Sequence, residues 1–280
     1  MAKVLMLHRV LPQKQIIQPN AYYEFGTLIS LEYLEKIIIL LKRNNFEFVT
    51  VSELTDREGE SNLIALTFDD GYLDNYTYVF PLLKKYNITA TFFPVIEPCV
   101  NKSVLPLDIY YQCVDEMVID KERRFDFIRG KTKREFYLSD PKKQIETLKK
   151  LFPHLPLKNR VSYLNTRHII KLSENNFEIG SHGLTHSLLT ANYMNKKRII
   201  EELALSKQII ENIINKKVYS YCFPAGEYNS ELIKLVKDVG YKSTCLISRK
   251  DNEVLALPSY ERIFVKPNSL KELKFKLNII

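Results

Sequence analysis

The chain has 280 residues, 45% hydrophobic and 26% charged, with 41 basic against 33 acidic side chains and a formal net charge of +8. That composition supports a sizeable core and excludes the disordered and fibrous classes, while the absence of a repeat, low-complexity tract or Gly/Ser linker leads us to expect one domain over residues 1–280. The longest apolar run, IIILL at 37–41, is too short to cross a bilayer, and Cys99, Cys113, Cys222 and Cys245 lack the Cys-x-x-Cys spacing of a zinc knuckle or dithiol site.

In chain order, VLMLH reads as a first buried strand. Its apolar run is broken by His8 and Arg9 and lacks a small-residue cleavage pattern, so a soluble, cytoplasmic protein is expected. LEYLEKIIILLKRN then reads as an amphipathic helix with Ser30 as N-cap, FEFVTV as a strand, LIALTF as a buried strand, YTYVFPLLKKY as a helix and ITATFFPV as a strand. This βαβ rhythm belongs to a parallel sheet or barrel. From about 99 to 176 it gives way to mostly helical, charged, Pro-punctuated sequence, with 13 Lys or Arg against 5 Asp or Glu between 121 and 160. Such a stretch reads as a solvated helical face in a Lys-rich chain, and it also suits an anionic substrate or peripheral contact with an anionic inner-membrane surface. No aromatic-interleaved basic motif or DNA-binding module accompanies it, so no nucleic-acid partner is expected.

The rhythm then resumes with FEIGSH as a strand, KKRIIEELALSKQIIENIIN as a long helix, VYSYCF as a strand, SELIKLVKDVG as a helix ending at Gly240, and YKSTCLIS as a strand. The matching flanks make the fold class α/β, a (β/α) barrel with a largely helical insertion at 99–176. In such barrels chemistry gathers where strands end.

Two strand ends carry chemistry-bearing side chains. IALTFDDGY at 64–72 closes an apolar strand with Asp69, Asp70 and Gly71, although adjacent carboxylates repel and favour turns. A cap and a turn are one use for the pair. After FEIG, SHGLTH places His182 and His186 four apart, so that both imidazoles can reach one divalent ion, with a carboxylate from elsewhere completing the set. One Asp then ligates while its neighbour stays free to take a proton from water. A two-His, one-carboxylate set accommodates Zn, our first expectation, and also Co, Ni, Fe or Mn.

TFDDGY at 67–72, SHGLTH at 181–186 and YCFPAGEYN at 221–229 resemble, in this order, the three motifs of the NodB-homology polysaccharide deacetylases, the carbohydrate esterase family four type. The resemblance covers roughly 1–98 and 177–265. It implies a distorted (β/α) barrel and a zinc-type, metal-dependent hydrolase of carbohydrate metabolism that removes an N-acetyl group from an amino sugar in a polysaccharide or a lipid-linked or nucleotide-linked glycan precursor. It further implies Asp70, His182 and His186 as metal ligands, Asp69 as general base, and the N–H of Ala225, after Pro224, in the oxyanion site.

The sequence departs from that pattern in three ways. No His follows His186, where many members carry a general acid; His8 in MLHRV, similar to a segment of biofilm-polysaccharide members, is expected to donate the proton or orient Asp69 or substrate. VYSYCF has no Arg to pair with the catalytic Asp, and Arg262 in YERIFV is expected to supply it. The chain has no Trp, leaving Tyr72, Phe93 and Tyr228 to wall the substrate pocket. His154 and His168 are expected at the surface. Cys222, within a strand of bulky apolar neighbours, reads as a core thiol. Alternatives are a deformylase or another amide hydrolase on the same fold, and a glycan-binding relative without turnover.

Overall fold

The computed structural model describes residues 2–157, 160–248 and 255–279; Lys158 of the basic stretch lies outside them. Its strands are β1 (Lys3–Leu7), β2 (Arg9–Leu11), β3 (Leu28–Ser30), β4 (Glu47–Phe48), β5 (Leu63–Asp70), β6 (Thr91–Pro94), β7 (Glu178–Ile179), β8 (Ser220–Cys222), β9 (Ser243–Leu246) and β10 (Ser259–Phe264). Seven pair in the order β7-β6-β5-β1-β10-β9-β8, all parallel, with β4 added on β5; β2 and β3 form a small sheet of their own. The open edges meet through a parallel bridge between Ser181 and Tyr221, where the Ser181 N–H donates to the Ser220 carbonyl and the Cys222 N–H to the Ser181 carbonyl. The result is a nearly closed parallel barrel with helices outside.

Alternation along the strands sorts the core. Leu5, Ile64, Leu66, Phe68 and Phe92 face the surrounding helices, while Val4, Leu63, Ala65, Phe93, Cys222 and Cys245 form a separate inner cluster. All eight residues of β5 are buried, as expected of a central strand covered on both faces.

Local signals decide the smaller elements. Ser30 caps the helix Leu31–Arg43 by accepting from the Tyr33 N–H. FEFVTV gives only two residues of strand, because Thr50 and Glu53 form a capping box that starts the helix Val51–Asp56 and overrides the β preference of Val49 and Val51. YTYVFPLLKKY divides into a π-helical turn, Asn75–Val79, and an α-helix, Phe80–Tyr86, with Pro81 in its first turn.

The insertion is helical as expected. Helices Pro106–Glu116, Lys121–Arg129, Lys131–Leu138 and Pro141–Leu151 gather a second core that also takes in Tyr22, Leu28 and Tyr72 from the barrel side. The last helix of the stretch, Thr166–Glu174, packs on β7 and on the long helix Lys196–Ile214 and so belongs to the barrel layer. His154 is exposed, whereas His168 is half-buried, stacked on Tyr76 with ring centroids 4.4 Å apart. Among the described residues no helix is long and apolar enough to cross a membrane.

Candidate metal and acyl-transfer site

The adjacent carboxylates terminate β5 itself. Asp69 continues the inward face of Leu63, Ala65 and Thr67, so strand alternation alone would send Asp70 outward. Asp70 instead has φ +69°, a left-handed conformation that breaks the alternation, and both side chains reach one pocket at the barrel mouth. Gly71 follows at φ +77°, where a Cβ would lie 2.9 Å from Pro94 Cβ. The Asp-Asp-Gly order is therefore a backbone requirement as well as a chemical one.

His182 and His186 lie on the loop after β7. The His182 Nδ1–H donates to the Cys222 carbonyl at 2.8 Å, which turns Nε2 toward Asp70 at 3.5 Å; His186 Nε2 is 3.3 Å from the same Asp70 Oδ1. Burial pushes the His182 pKa down to about 4, so its ring is neutral at neutral pH. Burial alone would raise Asp70, but His186, His8 and His182 outweigh it and hold its pKa below the usual carboxylate range. Neither imidazole contact to Asp70 is aligned as a hydrogen bond, and the buried Asp70 Oδ1 has no partner. The ligand atoms of Asp70, His182 and His186 lie within 4.8 Å of one another. A carboxylate oxygen and two imidazole nitrogens that converge without bonding one another fit a divalent cation.

Asp69, His182 and Cys222 form a second close group. It suits a metal less well, because burial pushes the Cys222 thiol well above its ordinary pKa and Asp69 is already committed. Arg262 on β10 donates to Asp69 Oδ1 at 2.7 Å and to Thr67 Oγ1 at 3.2 Å, with both charged groups about 1% exposed. Burial would raise Asp69, but Arg262, His182 and His8 together outweigh it, so its carboxyl is held below its ordinary pKa and is ionised at neutral pH. His8 Nε2 lies 3.8 Å from Asp69 Oδ2; burial lowers the His8 pKa, and its Nδ1 is buried without a partner.

The pocket, a cavity of about 240 Å³, thus brings together Asp69, Asp70, His182, His186, His8 and Arg262, and Tyr72 and Ala225 also line it. Ala225 has φ +53°, so the chain turns back directly after Pro224. Tyr228 does not line the pocket: it packs on Phe223, ring centroids 6.0 Å apart, at the edge of the main core. Phe93 also turns away, fully buried in the inner cluster.

Sequence reasoning missed four contributors. Cys222 lies against Asp69, with Sγ 3.8 Å from both carboxylate oxygens. Tyr137, from the insertion, places its hydroxyl 3.3 Å from His186 Nδ1. Glu202, on the long helix, accepts the N–H groups of Leu184 and Thr185 at 2.9 and 3.0 Å, while Ser206 one turn on bonds Ser181 Oγ at 2.9 Å. These two side chains tie down the histidine loop, and Gly183, at φ +86°, gives Glu202 its close approach. Their signal in the sequence was two polar residues on the helix face that carries Leu203 and Ile210 inward.

Comparisons with known proteins bear on the family and the fold. Residues 56–244 match the family model described as polysaccharide deacetylase. YxkH of Bacillus subtilis (strain 168) is 21% identical over 207 residues, covering 72% of this chain, and the match spans only about half, 52%, of that protein's length. Among solved structures, BC0361, a polysaccharide deacetylase from Bacillus cereus, aligns with a TM-score of 0.65 at 18% identity, covering 99% of this chain and 68% of its own. IcaB from Ammonifex degensii aligns at 0.64 and 18%, covering 97% and 94%, and the Streptococcus pyogenes deacetylase PplD, solved with acetate, at 0.63 and 15%, covering 98% and 96%. At these identities the solved structures speak for the barrel alone, and the family model, matching well over half of the chain, decides membership. The chain belongs to the polysaccharide deacetylase family.

Proposed function

We propose that this protein is a metal-dependent hydrolase that removes an N-acetyl group from an amino sugar in a polysaccharide or glycan precursor, with residues 1–280 acting as one catalytic domain. The observation that carries the proposal is the pairing of a converging ligand set, Asp70 with its unpartnered Oδ1 together with His182 and His186, with an adjacent carboxylate engaged by Arg262. A divalent ion held by that set, zinc first, supplies Lewis acidity toward the acyl carbonyl and makes water more acidic.

The chain's own groups do the rest. Arg262 occupies Asp69 Oδ1, which leaves Oδ2, with Cys222 Sγ and His8 Nε2 each no nearer than 3.8 Å, to take a proton from the attacking water as the new C–O bond forms. The Ala225 N–H is assigned to the carbonyl oxygen as negative charge develops there. The C–N bond then breaks, and the proton passes to the leaving amine from Asp69 or from His8, whose Nε2 is 3.8 Å from Asp69. The products are acetate and a free amino sugar, so atoms and charge balance. Tyr72 walls the acyl end of the pocket.

The test is metal content after exhaustive dialysis in wild type, His182→Ala and Asp70→Ala, followed by acetate release from N-acetylated oligosaccharides. About one ion per wild-type chain, lost in both variants, with release that depends on Asp69, is the expected result. Failure to bind Zn, Co or Mn at this site even on reloading overturns the proposal.

A further inference from the structure

Lys133 lies on the insertion helix Lys131–Leu138, yet it lines the same pocket as Asp70, His182 and His186. Its ammonium is 3.7 Å from the centroid of the Phe25 ring, 5.6 Å from that of Tyr137 and 6.0 Å from that of Tyr111. Tyr137 follows Lys133 by four residues, on the same helix face, and its hydroxyl reaches His186 Nδ1. One helical turn thus links the ammonium to the ligand set.

Two cations other than histidine line the pocket, and they differ. Arg262 is paired with Asp69, whereas Lys133 has no carboxylate partner among the described residues. Burial and the like charge of Arg129 push its pKa down to about 8, which still leaves it mostly protonated at neutral pH. Aromatic faces stabilise a cation by only about 0.5–2 kcal/mol and supply no acceptor for its three N–H donors. A half-buried ammonium that lines the pocket, with aromatic faces and no carboxylate beside it, is placed to pair with an anion bound there.

We infer that Lys133 is the subsite for an anionic oxyacid group, a phosphate or a carboxylate, carried by the acylated amino sugar. This rests on the deacetylase reading for the identity of the sugar but not for the anion preference. It divides the pocket into an acyl end at Asp69, Asp70 and the two histidines and an anion end against Phe25 and Tyr111.

The test is calorimetric binding of three probes to metal-loaded protein: N-acetylglucosamine, its 1-phosphate and the corresponding 6-carboxylate. Wild type should bind at least one anionic probe about tenfold or more tightly than the neutral one, as expected for a charge-assisted hydrogen bond. That ratio should fall close to one in Lys133→Met and persist in Lys133→Arg, and the phosphate and carboxylate arms identify the group. Equal binding of charged and neutral probes by wild type, no measurable binding of either anion, or an anion preference that survives Lys133→Met overturns the inference. Acetate release is scored separately in wild type: an anion preference without release sinks the deacetylase reading and leaves the subsite standing.

Discussion

The barrel mouth and the core of the insertion each bury a carboxylate, and the chain finishes the two in opposite ways. Asp108, wholly buried in the insertion, accepts hydrogen bonds from the hydroxyls of Tyr22 at 2.7 Å, Tyr72 at 2.9 Å and Tyr163. Asp70, two residues from Tyr72 and almost as buried, faces two imidazoles and leaves Oδ1 without a hydrogen bond. Burying a polar group without a partner is costly, so the saturated cluster reads as architecture and the unsaturated one as a place kept for a ligand. Asp108 does structural work for the site, because its tyrosines, one from the short helix Ala21–Phe25, one from the turn after β5 and one from the far end of the insertion, fix the insertion over the barrel mouth.

The largest effect is expected on the barrel side. Asp69→Asn should lower acetate release by about 10²–10⁴-fold, the usual contribution of a general base, while about one metal ion per chain remains. Stability should fall as well, because Arg262 then holds a buried charge without its partner. Metal analysis distinguishes the two losses. A variant that also loses its metal would show that Asp69, rather than Asp70, belongs to the ligand set.

Next in size is the insertion. Asp108→Ala removes the acceptor for two buried phenols and a half-buried one and should cost on the order of 3 kcal/mol in urea unfolding. Asp70→Ala in metal-free protein should cost much less, since Asp70 Oδ1 has no hydrogen bond to lose. Equal losses in the two variants would erase the distinction between a saturated and a waiting carboxylate.

Much of the barrel and the centre of the site is legible in the sequence because the signals are local. β5 is a continuous apolar run, and Asp69, Asp70, His182 and His186 come as two short motifs at strand ends. Arg262 is expected from the Arg that the resembled family pairs with its catalytic Asp and from the strand-like run YERIFV, and the β1–β10 register puts it beside Val4. What could not be read is contact between distant segments. Nothing near Lys133 or Tyr137 says that an insertion helix reaches the histidines, and nothing near Asp108 says that three tyrosines up to 86 residues away point at it. Tyr228 failed for a related reason: its place beside the third motif fixed its backbone but not its direction, and the hydrophobic core took the ring.

Glu202 offers an intermediate effect, on metal affinity. Glu202→Ala frees the two loop amides before His186 and should weaken zinc binding about 10–100-fold, the usual scale for groups that hold ligands in place. Both amides are accepted by the same oxygen, Oε2, so Glu202→Gln should recover most of that affinity. Competition with a chelator measures it, and the absorption of Co-loaded protein reports whether the coordination geometry has loosened. A Glu202→Ala protein that is merely less stable, with unchanged metal affinity, would assign the residue to the scaffold alone.

The smallest expected effect concerns pH. Asp115, in the insertion, has its pKa pushed up to about 6 by burial, even though Arg124 pairs with it at 2.7 Å, because that guanidinium is shared with Glu24. A carboxyl whose folded pKa exceeds its unfolded value near 4 binds its proton more tightly when folded. Its contribution to stability is therefore fully present below about pH 4 and is lost as pH rises through about 6. Asp69, held below its ordinary value, has the opposite sign: its contribution is present above about pH 4 and is lost as pH falls through its lower folded pKa. Between pH 7 and pH 5 the two regions should consequently diverge. Amide exchange in helices Pro106–Glu116 and Lys121–Arg129, corrected for intrinsic rate, should slow by an amount equivalent to about 1 kcal/mol, while the barrel strands gain nothing from this group. Asp115→Asn should abolish the difference. A pH response that persists in Asp115→Asn would move its source to Asp108, whose pKa burial also raises, and would show that its three phenols do not fully compensate its charge.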